Sequence, residues 1–117
     1  MFRSPEVDCE LSTLSRLPSI IRIIDRFFKS TQARSYTYEQ VIQKLSNSLK
    51  STLLSTQKLL DYLLSLELRI CPEDLTKRWI YKENYSNQEY IIMNQLDYKM
   101  AFLLEQIKSR TDYLTKL

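Results

Sequence analysis

Five cations fall within residues 16–34: Arg16, Arg22, Arg26 and Lys29, with Arg34 beyond them. The only carboxylate among them is Asp25. Side chains of this kind recognise anions, either phosphates or the acidic surface of another protein, and arginine is enriched among residues that anchor protein interfaces. A smaller group, Lys77, Arg78 and Lys82, lies close to Glu83 and Glu89. What the sequence lacks narrows the chemistry further. It contains no His and no Gly. Without His there is no Ser-His or Cys-His nucleophile pair and no His-bound zinc. Without Gly there is no phosphate loop, dinucleotide fingerprint or nucleophile elbow. Two carboxylate pairs remain, Glu73 with Asp74 and Asp61 with Glu67, but no pattern around them indicates a cleft. Cys9 and Cys71 are too few and too far apart for a four-ligand zinc site, and free thiols are expected. The residues therefore point to recognition by charge rather than to catalysis, with no cofactor and no metal.

The elements that must carry these residues follow from periodicity. Residues 1–13, with Pro5 and the acidic Glu6, Asp8 and Glu10, have no firm period and read as a flexible leader before a domain over residues 14–117. A first helix is expected from Leu17 to Ser30. Pro18 would sit in its opening turn, and Leu17, Ile20, Ile21, Ile24, Phe27 and Phe28 make one apolar stripe. Thr31 to Ser35 reads as a polar connector. Thr37 and Gln40 have the spacing of a capping box, which opens a second helix carrying Val41, Ile42, Leu45 and Leu49. Tyr36 would staple onto Val41. A third helix, with Ser55 as N-cap, runs to Leu68 along Leu59, Leu60, Leu63, Leu64 and Leu66.

Two strand-like runs follow, Arg78 to Lys82 and Gln88 to Met93, around a polar loop from Glu83 to Asn87. In a chain without Gly, the loop positions that need positive φ fall to Asn84 and Asn87. Tyr81 and Tyr90 are expected to pack on the helices and Tyr85 to be exposed at the tip. A last helix opens at Asn94 or Gln95 and carries Lys99 and Glu105 off its apolar stripe. Three helices followed by a hairpin is the order of a winged helix. The fold expected is mainly α with a small β-hairpin: a three-helix core, a two-stranded wing and a long C-terminal helix.

Charge then separates two uses of that fold. In a DNA-reading winged helix the third helix enters the major groove, and affinity comes largely from phosphate neutralisation. Here the third helix has Lys58 against Asp61 and Glu67, and the hairpin cations nearly cancel against Glu83 and Glu89. The net charge of the chain is only +3. Protein binding is the favoured expectation, with DNA contact at most weak and non-specific through Lys77, Arg78 and Lys82. The alternative is the winged-helix DNA-binding domain of a transcription or chromatin regulator. No apolar run is long enough to span a membrane and no signal peptide is evident, so an intracellular, reducing compartment is expected.

Several segments also carry a resemblance. They are Arg16-Leu17-Pro18, Ile20-Ile21-Arg22-Ile23-Ile24 and Phe27-Phe28-Lys29-Ser30; Tyr36 to Val41; the Leu-rich Ser55 to Leu68; Cys71-Pro72-Glu73-Asp74-Leu75; and Tyr90-Ile91-Ile92-Met93. In order and spacing they resemble the C-terminal domain of the chromatin licensing and DNA replication factor, the geminin-regulated helicase loader. There are departures. Asp74 stands where that family has a Trp before the wing, Trp79 appears a few residues later, and the wing loop reads as longer. The family's geminin-binding domain, clamp-binding peptide and regulatory leader are not in the sequence, so either a fragment or a reduced homologue is expected. The resemblance implies a nuclear winged helix that binds one or more subunits of the MCM helicase and helps an origin-bound loading complex place that ring on DNA. No motif assigns the contacts; Arg22, Arg26 and Lys29 on the first helix, with Lys99 and Glu105 on the last, are the residues expected to make them.

Overall fold

The computed structural model describes residues 4–117. Helix α1 spans Pro5–Thr31, strand β1 Ser35–Thr37, helix α2 Tyr38–Leu49, helix α3 Leu53–Ser65, strands β2 and β3 Ile80–Tyr85 and Gln88–Met93, and helix α4 Met100–Thr115. The chain is mainly helical with a small antiparallel sheet, a winged-helix arrangement in which β2 and β3 form the wing.

Helix α1 begins twelve residues before the expected Leu17. Ser4 caps it, its Oγ accepting from the Val7 N–H at 3.3 Å. Pro5 occupies the first turn, where its missing N–H costs nothing, and Glu6 and Asp8 favour the positive end of the helix dipole. Residues Pro5 to Thr13, read from sequence as leader, are thus helical. Pro18 lies inside the helix instead of opening it, so one intrahelical bond, to the Leu14 carbonyl, cannot form. The helix continues because its apolar stripe continues. Val7 and Leu11 pack against the core, and Leu14, Leu17, Ile20, Ile21, Ile24 and Phe28 are all buried. Gln32 ends the helix in the left-handed region, φ 55°.

The capping box of α2 is present as expected. The Gln40 N–H donates to Thr37 Oγ1 at 3.1 Å, and the Thr37 N–H donates to Gln40 Oε1 at 2.9 Å. Tyr36, which packs on the core that contains Val41, stacks on Phe27 at 4.2 Å between ring centres and meets Phe28 edge-on at 5.0 Å. That places residues 35–37 beside β3, with Tyr36 opposite Ile91, as a third strand where a connector was expected. The sheet order is β1-β3-β2. Helix α3 is capped by Thr52 rather than Ser55 and stops at Ser65. Helix α4 starts at Met100, later than the expected Asn94 or Gln95.

The wing is tighter than the sequence suggested. β2 and β3 pair from Ile80 opposite Met93 to Tyr85 opposite Gln88, leaving a two-residue turn, Ser86-Asn87. Both turn residues have positive φ, 51° and 64°, as expected for a turn whose twist matches the strands. Asn84, expected in the loop, pairs with Glu89 in the ladder. Behind the wing, Trp79 is fully buried; its backbone N–H donates to the Leu68 carbonyl at 2.7 Å and its backbone carbonyl accepts from the Asn94 N–H at 3.0 Å.

The left-handed conformation is costly for residues with a Cβ, and Asn-Gly is the preferred pair for this turn. Combining Ser86→Asn with Asn87→Gly should stabilise the fold by about 1 kcal/mol, raising the thermal midpoint by about 4 °C when followed by circular dichroism.

Candidate protein-docking surface

The five cations of the 16–34 stretch have different roles in the fold. Arg34 is structural: its Nε donates to the Met93 carbonyl at 3.3 Å and its guanidinium also reaches the Asn94 carbonyl. Lys29 is held too. Its Nζ lies 2.9 Å from Asp25 Oδ1 and 4.6 Å from the centre of the Tyr98 ring. The Tyr98 hydroxyl donates to the same Asp25 carboxylate. Burial, reinforced by that carboxylate, pushes the Tyr98 hydroxyl well above its usual pKa. Lys29, Asp25 and Tyr98 therefore tie α1 to the segment that leads into α4. Arg22 and Arg26, one turn apart, are exposed, and no ion pair among the described residues holds either of them.

Lys99 and Glu105 line a different cleft, of about 500 Å³, between the start of α4 and Ile70, Cys71 and Pro72. The Cys71 thiol donates to Glu73 at 3.0 Å there, which helps hold the Glu73 carboxyl below its usual range. The residues expected to act together thus divide between α1, the Asp25 tie and the α4 cleft. Both cysteines are free.

The wing cations are largely neutralised within the chain. Arg78 Nη1 lies 3.4 Å from Glu67 Oε1 and its guanidinium covers Tyr81. Lys82 Nζ lies 3.1 Å from Glu89 Oε2 and over Tyr38. Lys77 is exposed. On α3, Asp61 accepts from the Tyr38 hydroxyl at 2.6 Å; burial and that carboxylate raise the Tyr38 pKa. The side of the fold that would meet phosphates therefore carries Asp61, Glu67 and Glu89. At the start of α3, where a DNA-reading helix presents polar side chains, Leu53 and Leu54 are 53% and 62% exposed. Tyr85 at the wing tip is exposed as expected; its hydroxyl donates to Glu83, and its ring meets Tyr90 edge-on.

Two grooves were not foreseen. One, of about 650 Å³, runs between the first half of α1 and α3, with Cys9, Thr13, Arg16, Lys58 and Leu59 in its walls. It depends on the helical turns read from sequence as leader. The other, of about 420 Å³, lies between α1 and α2 and is lined by Ile23, Arg26, Phe27, Ser30, Lys44 and Ser48. Its signal was present in the sequence as the spacing 23, 26, 27 and 30, one face of a helix. Phe27 also belongs to the apolar core stripe, which masks that face in the sequence.

These features define a winged-helix domain whose wing and third helix are poorly charged for nucleic acid and whose first helix presents free arginines. The chain belongs to the family of the DNA replication factor Cdt1 C-terminal domain, whose model matches residues 1–78, from α1 to the approach to the wing. It is accordingly a domain of the DNA replication licensing type. Comparison with curated protein sequences found no match.

One internal interaction makes the stability of this surface pH-dependent. Glu10 accepts from the Tyr62 hydroxyl and from Arg110 Nε, the latter at 3.1 Å, and so joins α1, α3 and α4. The Tyr62 bond first, then Arg110, lowers the Glu10 pKa below its ordinary 4.5. Because the folded form prefers the ionised carboxylate, its contribution is complete above that value and disappears as the pH falls through the folded pKa. Glu10→Gln should therefore lower stability at neutral pH, and the difference from the parent should close under more acidic conditions, as measured by urea unfolding across the acid range.

Proposed function

We propose that this domain docks on the MCM helicase and helps an origin-bound loading complex place that ring on DNA in the nucleus. The family relationship supports a replication-licensing role, and the charge distribution favours a protein partner. The observation that carries this reading is the contrast between α1 and the wing: Arg22 and Arg26 are exposed without carboxylate partners, whereas Arg78 and Lys82 are paired with Glu67 and Glu89. Association with an acidic surface gains most from cations that need not first leave a partner. The domain acts by holding its partner, and no bond is made or broken.

Arg22 and Arg26 are the proposed anchors. Lys29 contributes through the Asp25 tie that fixes the end of α1, and Lys99 and Glu105 form a separate polar rim at the α4 cleft. Lys77 provides the exposed wing cation for any weak DNA contact.

Purified domain should retain MCM subunits in a pull-down. Arg22→Glu with Arg26→Glu should weaken retention by about tenfold, while Lys77→Glu, Arg78→Glu and Lys82→Glu together leave it within about twofold. Equal loss in both variants would remove the assignment to α1. In parallel, duplex DNA at physiological salt should show no sequence-dependent binding. A steep salt dependence with micromolar affinity would favour the DNA-binding alternative.

A further inference from the structure

The groove between α1 and α2 has the chemistry of a peptide site. Ile23, Arg26, Phe27 and Ser30 occupy one face of α1, and Lys44 and Ser48 lie one turn apart on α2. The floor is apolar, made by the half-buried Ile23 and Phe27. Arg26 and Lys44 stand at its walls, and no carboxylate lines it. The nearest acid in sequence, Asp25, is engaged by Lys29 and Tyr98. Lys44 Nζ lies 5.7 Å from the Phe27 ring centre, so the cation and the aromatic surface adjoin. Phe27 is fixed from behind by stacking on Tyr36 and by its edge contact with Phe28 at 5.9 Å. A side chain already held in one place loses little freedom when a ligand packs on it, which favours binding.

A phosphate backbone would satisfy the two cations but leave the apolar floor uncovered. A protein segment can meet both. We propose that this groove receives an acidic segment of a partner protein, with one leucine-sized side chain seated on Ile23 and Phe27 and carboxylates reaching Arg26 and Lys44. The source of that segment, the helicase, rests on the function proposed above. The volume, about 420 Å³, suits a single anchoring side chain and its neighbours rather than a whole helix. Helical presentation of such a segment would place acids three and four residues from the anchor on the same face.

Two measurements separate the groove from the helicase reading. In the first, isotope-labelled domain is titrated with a short synthetic peptide carrying a central leucine and glutamates three and four residues to either side. Amide shifts should concentrate at residues 23–30 and 44–48. Ser48→Trp, which fills an exposed part of the groove, and Lys44→Glu should each weaken binding by about tenfold, as should replacing the glutamates by glutamines. Shifts spread elsewhere, Ser48→Trp binding as well as the parent, or a duplex oligonucleotide producing the same groove shifts in place of the peptide would each overturn the proposal. In the second, the same two variants are tested against MCM subunits. Peptide binding without MCM binding retains the groove and removes the helicase as its partner. MCM binding that both variants leave intact removes the groove as its docking site.

Discussion

The fold depends on burying one face of α1. Leu14, Leu17, Ile20, Ile21, Ile24 and Phe28 are at most 1% exposed, and each such side chain stabilises by roughly 1.5–3 kcal/mol when removed from water. Helices α2, α3 and α4 all pack on this helix. Because so much of its circumference is committed to the core, the polar residues between the apolar ones are forced outward. Arg22 and Arg26 are exposed for that reason. The apolar periodicity of α1 therefore determines both the packing of the domain and the position of its free positive charge.

Where local sequence signals acted alone, they could be read. The Thr37-Gln40 box works through atoms three residues apart, and its geometry follows from its spacing. The exposed Tyr85 and the wing itself were legible for the same reason. Signals that compete were not. At the start of α1, Pro18 suggested a beginning, while Val7, Leu11 and Leu14 marked a helix already under way; burial of that longer stripe outweighs the one hydrogen bond Pro18 removes. Strand β1 has no sequence signature of its own. It exists because Tyr36 stacks on Phe27 and brings three residues alongside β3, a relation between distant parts of the chain. The Ser86-Asn87 turn was obscured because a polar run of five residues resembles a loop even when three of them belong to strands.

The candidate site shows the same division. Residue type marks the cations as candidate recognition groups, but their availability is a tertiary property. Asp25 and Tyr98 engage Lys29, the Met93 and Asn94 carbonyls engage Arg34, and Glu67 and Glu89 engage the wing. Each of these contacts engages a cation that a count along the sequence would treat as free. What remains is sparse, and it lies beside apolar surface at Phe27. Such a combination favours a shaped protein ligand over a uniformly charged polymer.

Helix α4 gives the domain a boundary different from that of the family match. The match ends at residue 78, yet Leu103, Ile107 and Leu114 are buried in the common core, and Arg110 joins Glu10 across almost the whole length of the chain. The first and last helices are thus mechanically in parallel: a pull on one end of the chain loads the same contact that holds the other. Through these contacts the positions of α1 and of its exposed Arg22 and Arg26 depend in part on residues outside the segment that identifies the family.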